Sequence, residues 1–206
     1  MNYFLSKEES NFYEDEGYLV RENQFSINEV NALRYALERA VNKAQERASG
    51  GKVYFLDKKK FVDVDYMTLQ YEPQPEDNIL KVIEPAHFLD KELYSLTQDM
   101  RITDPVRSIL EEDEISLWTD KLNLKRPGRG SGFGWHQDSP YWVHDSNNVD
   151  LLPNVYLSLD DADENNGCFR VIRASHKEGC LPGTSNGTQL GGFYTDPNYF
   201  NETDAV

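Results

Sequence analysis

Residues 134–142 read Gly-Trp-His-Gln-Asp-Ser-Pro-Tyr-Trp, and this stretch decides how the rest of the chain is interpreted. Alternate side chains of a β-strand point to the same side, so an extended backbone here would turn His136 and Asp138 toward one point. An imidazole and a carboxylate that converge can bind one metal ion. They are two of the three ligands in a 2-His-1-carboxylate Fe(II) site, which leaves one face of the iron open. The stretch therefore predicts a strand that supplies two iron ligands.

The His-x-Asp pattern alone is not specific, because a chain with 4 histidines and this aspartate content contains it by chance about one time in three. Its alternative is an ordinary strand histidine beside an aspartate. The flanking sequence favours the metal interpretation, since glycines precede the motif and aromatic residues follow it. Trp135, Tyr141 and Trp142 could line an apolar substrate pocket, with packing in a barrel core as the alternative.

Length and charge limit the classes of function. The chain has 206 residues, enough for one domain with a substantial core or for part of a larger one. Its net charge of -15 argues against a nucleic-acid partner, because binding to a phosphate backbone needs clustered Lys and Arg. The sequence has no apolar run of about 18 residues and no signal-peptide pattern, so a soluble cytoplasmic protein without a membrane partner is expected. Cys168 and Cys180 lack C-x-x-C spacing and are expected to be reduced thiols.

The amino-terminal half is predicted to be mainly helical. Ser26 and Glu29 form a capping-box pattern, and apolar residues at spacings of three and four follow, which predicts a long helix. Residues 53–71 alternate loosely and predict short strands or an irregular hairpin. The pattern becomes helical again over residues 79–110, in two pieces, with Pro105 in the first turn of the second piece.

From residue 115 onward the pattern changes to β. The segments that favour strands are 115–125, 155–159 and 168–172. Short strands separated by Asn-Gly turns are typical of a β-sandwich or a jelly roll. Residues 181–206 show no sustained period and predict a long loop.

Three stretches together resemble the phytanoyl-CoA dioxygenase family of Fe(II)- and 2-oxoglutarate-dependent oxygenases. They are residues 13–20, residues 135–142, and residues 164–177, which run from Glu-Asn-Asn-Gly-Cys to Ser-His-Lys. One departure is Arg173-Ala174, where Pro-Gly is usual. The resemblance covers most of the chain and implies a double-stranded β-helix, a jelly-roll or cupin-like fold. The implied domain is single, mainly β with amino-terminal helices (α+β), with a mainly helical part at 1–114 and the first half of the jelly roll at 115–206.

The resemblance also implies roles for five residues. His136 and Asp138 would be the metal ligands, and Lys81, Lys121 and Tyr156 fall where family members contact 2-oxoglutarate. The alternatives are a solvated helix lysine for Lys81 and barrel lining for Lys121 and Tyr156. The implied cofactors are Fe(II) and the co-substrate 2-oxoglutarate.

Two functional residues of the family have no match in the sequence. The distal iron histidine and the arginine that pairs with 2-oxoglutarate lie beyond the Ser-His-Lys segment in that family, and His176 within the segment does not occupy the distal position. Three explanations stay open: a fragment of a longer reading frame, an inactive relative, or a second polypeptide that supplies the missing half. We expect a fragment, since half a jelly roll leaves strand edges unpaired.

The function implied by the resemblance is hydroxylation of an unactivated C–H bond of a small molecule by O2, with succinate and CO2 as co-products. Asp138 favours hydroxylation over halogenation, because related halogenases replace this carboxylate with a small residue that leaves room for chloride. The second interpretation is a jelly-roll remnant that binds a ligand without redox chemistry, since two ligands alone hold Fe(II) poorly.

Overall fold

The computed structural model describes residues 2–56, 58–73, 75–185 and 193–206. Their contacts form two compact units. The sheet unit comprises Asn23–Thr103 and Ile115–Gly132, and the motif unit comprises Met1–Glu22, Asp104–Glu114 and Phe133–Val206. The sheet unit holds the large β-sheet, and the motif unit holds His136 and Asp138.

The sheet unit is built around a five-stranded antiparallel sheet whose strands follow one another in chain order. The strands are β1 (Lys52–Leu56), β2 (Lys59–Val64), β3 (Met67–Tyr71), β4 (Leu80–Glu84) and β5 (Leu122–Asn123). The prediction of short strands over residues 53–71 is confirmed by β1, β2 and β3. In β3, the outer and central residues are buried and those between are half-buried, which is the alternation expected when one face of a sheet is covered.

A long amphipathic helix, α2 (Ile27–Ala48), covers this sheet. Its start is confirmed: Ser26 accepts a hydrogen bond from the Glu29 amide, and the Glu29 carboxylate accepts one from the Ser26 amide. The buried residues of α2 are Leu33, Ala36, Ala40, Val41 and Ala44. Ala36, Ala40, Val41 and Ala44 belong to one core cluster with Leu69 and Ile83. Leu69 and Ile83 are fully buried, and each large apolar side chain buried in this way contributes about 1.5–3 kcal/mol.

Two sequence predictions for residues 79–110 are wrong in part. Residues 80–84 form β4 rather than helix, because a strand buried on both faces has no alternation to distinguish it from a helix. The two helices that follow are α3 (Lys91–Leu96) and α4 (Met100–Leu110). Pro105 lies inside α4 and not in its first turn, since the Asp99 carboxylate already caps the helix by accepting the Arg101 amide.

Residues 115–121 do not form the predicted strand. Side chains hold this segment beside the end of β4: Thr119 donates to the Glu84 carboxylate, and Asp120 accepts the amides of Ala86 and His87. Within residues 115–125, the part assigned as a strand is β5, which pairs with β4 through the backbone. The predicted strand over 115–125 is therefore reduced to two residues.

The motif unit contains short elements. These are α1 (Lys7–Glu16), α5 (Ser139–Trp142), and a two-stranded antiparallel sheet of β6 (Gly183–Ser185) and β7 (Phe193–Thr195). The long loop predicted over residues 181–206 therefore contains regular structure, although residues 186–192 lie outside the described residues. The α+β class is confirmed.

Two further predicted strands are not assigned in the part of the chain that the structure describes. Residues 155–159 carry no strand, and residues 168–172 contribute only a bridge from Ile172 to Ala205. Strands need a hydrogen-bonded neighbour, and Val155 and Phe169 are more than half exposed. The jelly roll stays a prediction. Among the described helices, none has the length and apolar character needed to cross a membrane.

Candidate functional site

His136 and Asp138 converge in the motif unit. The Nε2 atom of His136 lies 3.5 Å from Oδ1 of Asp138. Two neighbouring ligands at about 2.1 Å from one metal ion and at right angles to each other would lie about 3.0 Å apart. The two atoms are therefore close to the separation that a shared metal requires.

The backbone that produces this convergence differs from the predicted strand. Residues 134–137 have no assigned strand, and Asp138 has a helical conformation directly before α5, whose first turn contains Pro140. The side chains of His136 and Asp138 nevertheless share a side. Their metal role itself stays a prediction.

A backbone carbonyl orients the His136 ring. Its Nδ1 atom lies 2.7 Å from the carbonyl oxygen of Gly134. A carbonyl oxygen can only accept, so Nδ1 carries the proton, and in the neutral ring Nε2 carries the lone pair on the side of Asp138. Histidines that bind metals commonly have this arrangement, in which the second ring nitrogen donates to a carbonyl or a carboxylate.

Gly134, two residues before His136, has to be glycine for steric reasons. A Cβ atom added to Gly134 would lie 2.5 Å from the Tyr194 ring, and the Trp135 carbonyl accepts a hydrogen bond from the Thr195 amide. The backbone of Gly134 and Trp135, which leads into His136, therefore packs closely against β7.

We expect Gly134→Ala to separate β7 from the motif, because the new methyl group overlaps the Tyr194 ring; overpacking of this kind costs about 1–3 kcal/mol. Hydrogen exchange of the Thr195 amide should accelerate. Gly132→Ala is the matched control, since a Cβ there meets nothing within 4 Å. Equal exchange rates in the two variants would contradict the steric argument.

The three aromatic residues predicted to line a substrate pocket are half-buried. Trp135 packs against Phe200 at 5.8 Å between ring centroids, with the Arg170 guanidinium over its ring. Tyr141 presents its ring edge-on to His136 at 6.5 Å. Trp142 ends α5. Of these contacts, the one between Tyr141 and His136 involves a candidate ligand, and the pocket role of all three aromatic residues stays a prediction.

Lys81 lies on β4 of the sheet unit and is buried, so the alternative of a solvated helix lysine is wrong. Its ammonium group donates to Ser131 Oγ at 2.5 Å and to the Gly132 carbonyl at 3.2 Å, and it lies 3.8 Å from the Glu72 carboxylate. Glu72 is fully buried and accepts from the amide and hydroxyl of Ser131. Burial lowers the pKa of Lys81, and the Glu72 charge opposes part of that shift.

The other two residues predicted to contact 2-oxoglutarate are exposed. Lys121 precedes β5 in the sheet unit. Tyr156 belongs to the motif unit, where it stacks on Phe169 with 4.9 Å between ring centroids, and partial burial raises the pKa of its hydroxyl. Neither the position of Lys121 nor the contact of Tyr156 tests the predicted binding of 2-oxoglutarate.

Sequence reasoning missed two residues that support these groups. Glu72 holds Ser131, which is 59 positions away in sequence, and Gln137 hydrogen bonds to backbone more than 40 positions away. No local pattern marks either one. The only sequence signal for Gln137 is its place between the two candidate ligands.

In the described part of the chain, no group of three or more His, Cys, Asp or Glu side chains is arranged to hold a metal ion. The pair of His136 and Asp138 has the nitrogen and carboxylate donors that Fe(II) accepts. It therefore fits two of the three protein ligands of a facial site.

Comparisons with known proteins agree on one family. The family model described as phytanoyl-CoA dioxygenase matches residues 13–194. An ectoine dioxygenase from Bordetella bronchiseptica is 27% identical over 180 residues, which cover 84% of this chain and 50% of that protein. A probable alpha-ketoglutarate-dependent hypophosphite dioxygenase from Stutzerimonas stutzeri is 29% identical over 170 residues, covering 82% and 53%. A phytanoyl-CoA dioxygenase domain-containing protein 1 homolog from Caenorhabditis elegans is 27% identical over 190 residues, covering 81% and 63%. The chain thus spans about half the length of the first two relatives.

Proposed function

The chain belongs to the phytanoyl-CoA dioxygenase family, and on this basis we propose that it forms part of an Fe(II)- and 2-oxoglutarate-dependent dioxygenase that hydroxylates an unactivated C–H bond of a small molecule. The observation that carries the proposal is the approach of His136 Nε2 to Asp138 Oδ1, at 3.5 Å, inside the segment that matches the family. When bound, iron and 2-oxoglutarate supply the activation of O2, with succinate and CO2 as co-products.

In this proposal, residues of the chain bind the metal ion and orient its ligands. His136 would bind the metal through Nε2 while the Gly134 carbonyl keeps its ring in place, and Asp138 would bind it through Oδ1. The Asp138 carboxylate would take a coordination position that chloride would otherwise need, which favours hydroxylation over halogenation. Trp135, Tyr141 and Trp142 would exclude water beside the ligands and line the substrate pocket.

The remaining parts of the proposal rest on the family resemblance. Lys81, Lys121 and Tyr156 would contact 2-oxoglutarate. The Lys81 ammonium is charge-paired with Glu72, so a co-substrate carboxylate would have to join that network. The chain would form one domain over residues 1–206, with residues 115–206 as the first half of a jelly roll, in the cytoplasm. The relatives named for ectoine and hypophosphite dioxygenation support a small-molecule substrate.

The test is anaerobic addition of Fe(II) and 2-oxoglutarate to the full-length protein. We expect a weak visible charge-transfer band, which His136→Ala should remove and His144→Ala should keep, because His144 is an exposed histidine outside the ligand pair. A band of equal strength in His136→Ala would contradict the proposed site.

A second candidate function is ligand binding without redox chemistry. One observation favours it: the described residues contain no third metal-binding side chain beside the pair. The same experiment separates the two functions. Succinate formation is measured after air is admitted to the same samples, because it requires O2. The absence of both the charge-transfer band and succinate formation in the unchanged protein would support this non-catalytic function.

A further inference from the structure

Gln137, the residue between the two candidate ligands, uses both ends of its side-chain amide on one run of backbone. Its Nε2 donates to the Gly179 carbonyl at 2.9 Å, and its Oε1 accepts from the Leu181 amide at 2.7 Å. The opposite orientation of the amide would face carbonyl with carbonyl and N–H with N–H, so the hydrogen bonds themselves fix it. Gln137 therefore joins the metal motif to residues 179–181.

Residues 173–177, shortly before the backbone that Gln137 bonds to, contact the end of α1. Residues 173–181 include both these residues and the two that Gln137 contacts, and we call them the 173–181 segment. Its contacts with the end of α1 are Ala174 N to Glu16 O at 2.9 Å, His176 Nε2 to Glu14 O at 3.0 Å, Lys177 to Asp15 at 3.2 Å and Arg173 to Glu16 at 3.6 Å. Cationic side chains and N–H donors are favourable at this end of a helix, because its last carbonyls lack partners inside the helix.

Close packing adds to these hydrogen bonds. The His176 ring lies directly over Gly17, where a Cβ atom would overlap it, and Gly17 has the left-handed conformation that ends α1. His176 is thus a structural residue of the α1 end. The 173–181 segment has one end fixed on a helix and the other bonded to Gln137.

We propose that Gln137 is a positioning residue for the metal ligands. Its two hydrogen bonds fix the backbone between His136 and Asp138 against the 173–181 segment, so that Nε2 and Oδ1 stay close before any metal arrives. This role rests on the proposed function. The energetic reason is general: ligands whose position is set beforehand lose less freedom on binding, and loss of a partner outside the ligand set typically weakens metal binding by about 10- to 100-fold.

The experiment measures Mn(II) affinity of the full chain by the loss of the free-ion electron paramagnetic resonance signal, and hydrogen exchange of the Leu181 amide on the same samples. Gln137→Met removes both hydrogen bonds at nearly constant size. Gln45→Met is the matched control, because Gln45 is exposed on α2. His136→Ala removes a proposed ligand. Exchange of the Leu69 amide, in the sheet core, reports whether the sheet unit of each variant is folded, and exchange of the Gly17 amide, which bonds to the Tyr13 carbonyl, reports the same for the motif unit.

We expect Gln137→Met to weaken Mn(II) binding by about tenfold or more and to accelerate Leu181 exchange, with Leu69 exchange unchanged. Gln45→Met should change neither quantity. If Gln137→Met binds Mn(II) as the unchanged chain does, or leaves Leu181 exchange unaltered, the positioning role is overturned while the metal site stands. If the unchanged chain binds no Mn(II), or binds it no better than His136→Ala, the metal site and the positioning role are both overturned.

Discussion

Replacing Asp138 with alanine is expected to abolish 2-oxoglutarate turnover by the full-length protein, with succinate formation lowered by more than about a hundredfold. The reason is the geometry of the pair: Asp138 Oδ1 lies 3.5 Å from His136 Nε2, and alanine removes the only negative charge of the pair. The measurement is succinate released under air with saturating Fe(II) and 2-oxoglutarate. Mn(II) binding by the chain should be lost in parallel.

Asp145→Ala is the control for this variant. Asp145 is also an aspartate close to the motif, but its side chain is exposed, and only its backbone amide bonds to α5, at the Trp142 carbonyl. Its loss should leave succinate formation within about twofold, as expected for an exposed surface position. Undiminished turnover in Asp138→Ala would remove this residue from the ligand set.

The largest effect on stability is expected for Glu72→Ala, which should lower the free energy of unfolding by about 3–5 kcal/mol. Glu72 and Lys81 form a charge pair in the sheet unit whose side chains are 2% and 5% exposed. Removing Glu72 takes the carboxylate away from a buried ammonium that also donates to Ser131 and to the Gly132 carbonyl, and deprives the Ser131 amide of its acceptor. Urea unfolding monitored by circular dichroism measures the difference.

Two control variants show whether the loss of stability in Glu72→Ala arises from the burial of the charge pair or from the removal of a carboxylate alone. Glu76→Ala breaks a surface pair with Arg129, whose side chains are 41% and 64% exposed, and should cost at most about 1 kcal/mol. The double variant Glu72→Met with Lys81→Met should recover most of the stability, because no buried charge is left without a partner. A similar cost for Glu72→Ala and Glu76→Ala would contradict the argument.

The parts of the fold that the sequence predicts well depend on contacts close along the chain. The capping pair Ser26 and Glu29 and the apolar spacing after it predict α2, and loose alternation predicts β1 to β3. The sequence does not predict β4, because residues 80–83 are all buried and show no alternation of apolar and polar side chains. The acidic stretch of α1 was not predicted as a helix, since it buries no side chain and its end is completed by residues 173–177, far away in sequence.

The candidate site divides in the same way. The spacing in the motif predicts that His136 and Asp138 share one side of a strand. The two side chains do converge, but Asp138 has a helical conformation, so the predicted strand is wrong. The sequence does not predict the supporting residues Gln137 and Glu72, because their hydrogen-bond partners are distant in sequence and come close only in the folded chain. Burial of Lys81 depends on contacts of the same long-range kind, so the local sequence is equally compatible with a solvated lysine.

The chain order of the strands in the sheet unit has a consequence for folding. β1 to β4 pair with their neighbours along the chain, so each pairing closes only a short loop and loses little chain entropy. The motif unit instead combines the amino terminus with residues 133–206, and a long intervening stretch must be closed before they meet. We therefore expect the sheet to nucleate first, during synthesis and on refolding, and the ligand pair to acquire its geometry in a later, slower step.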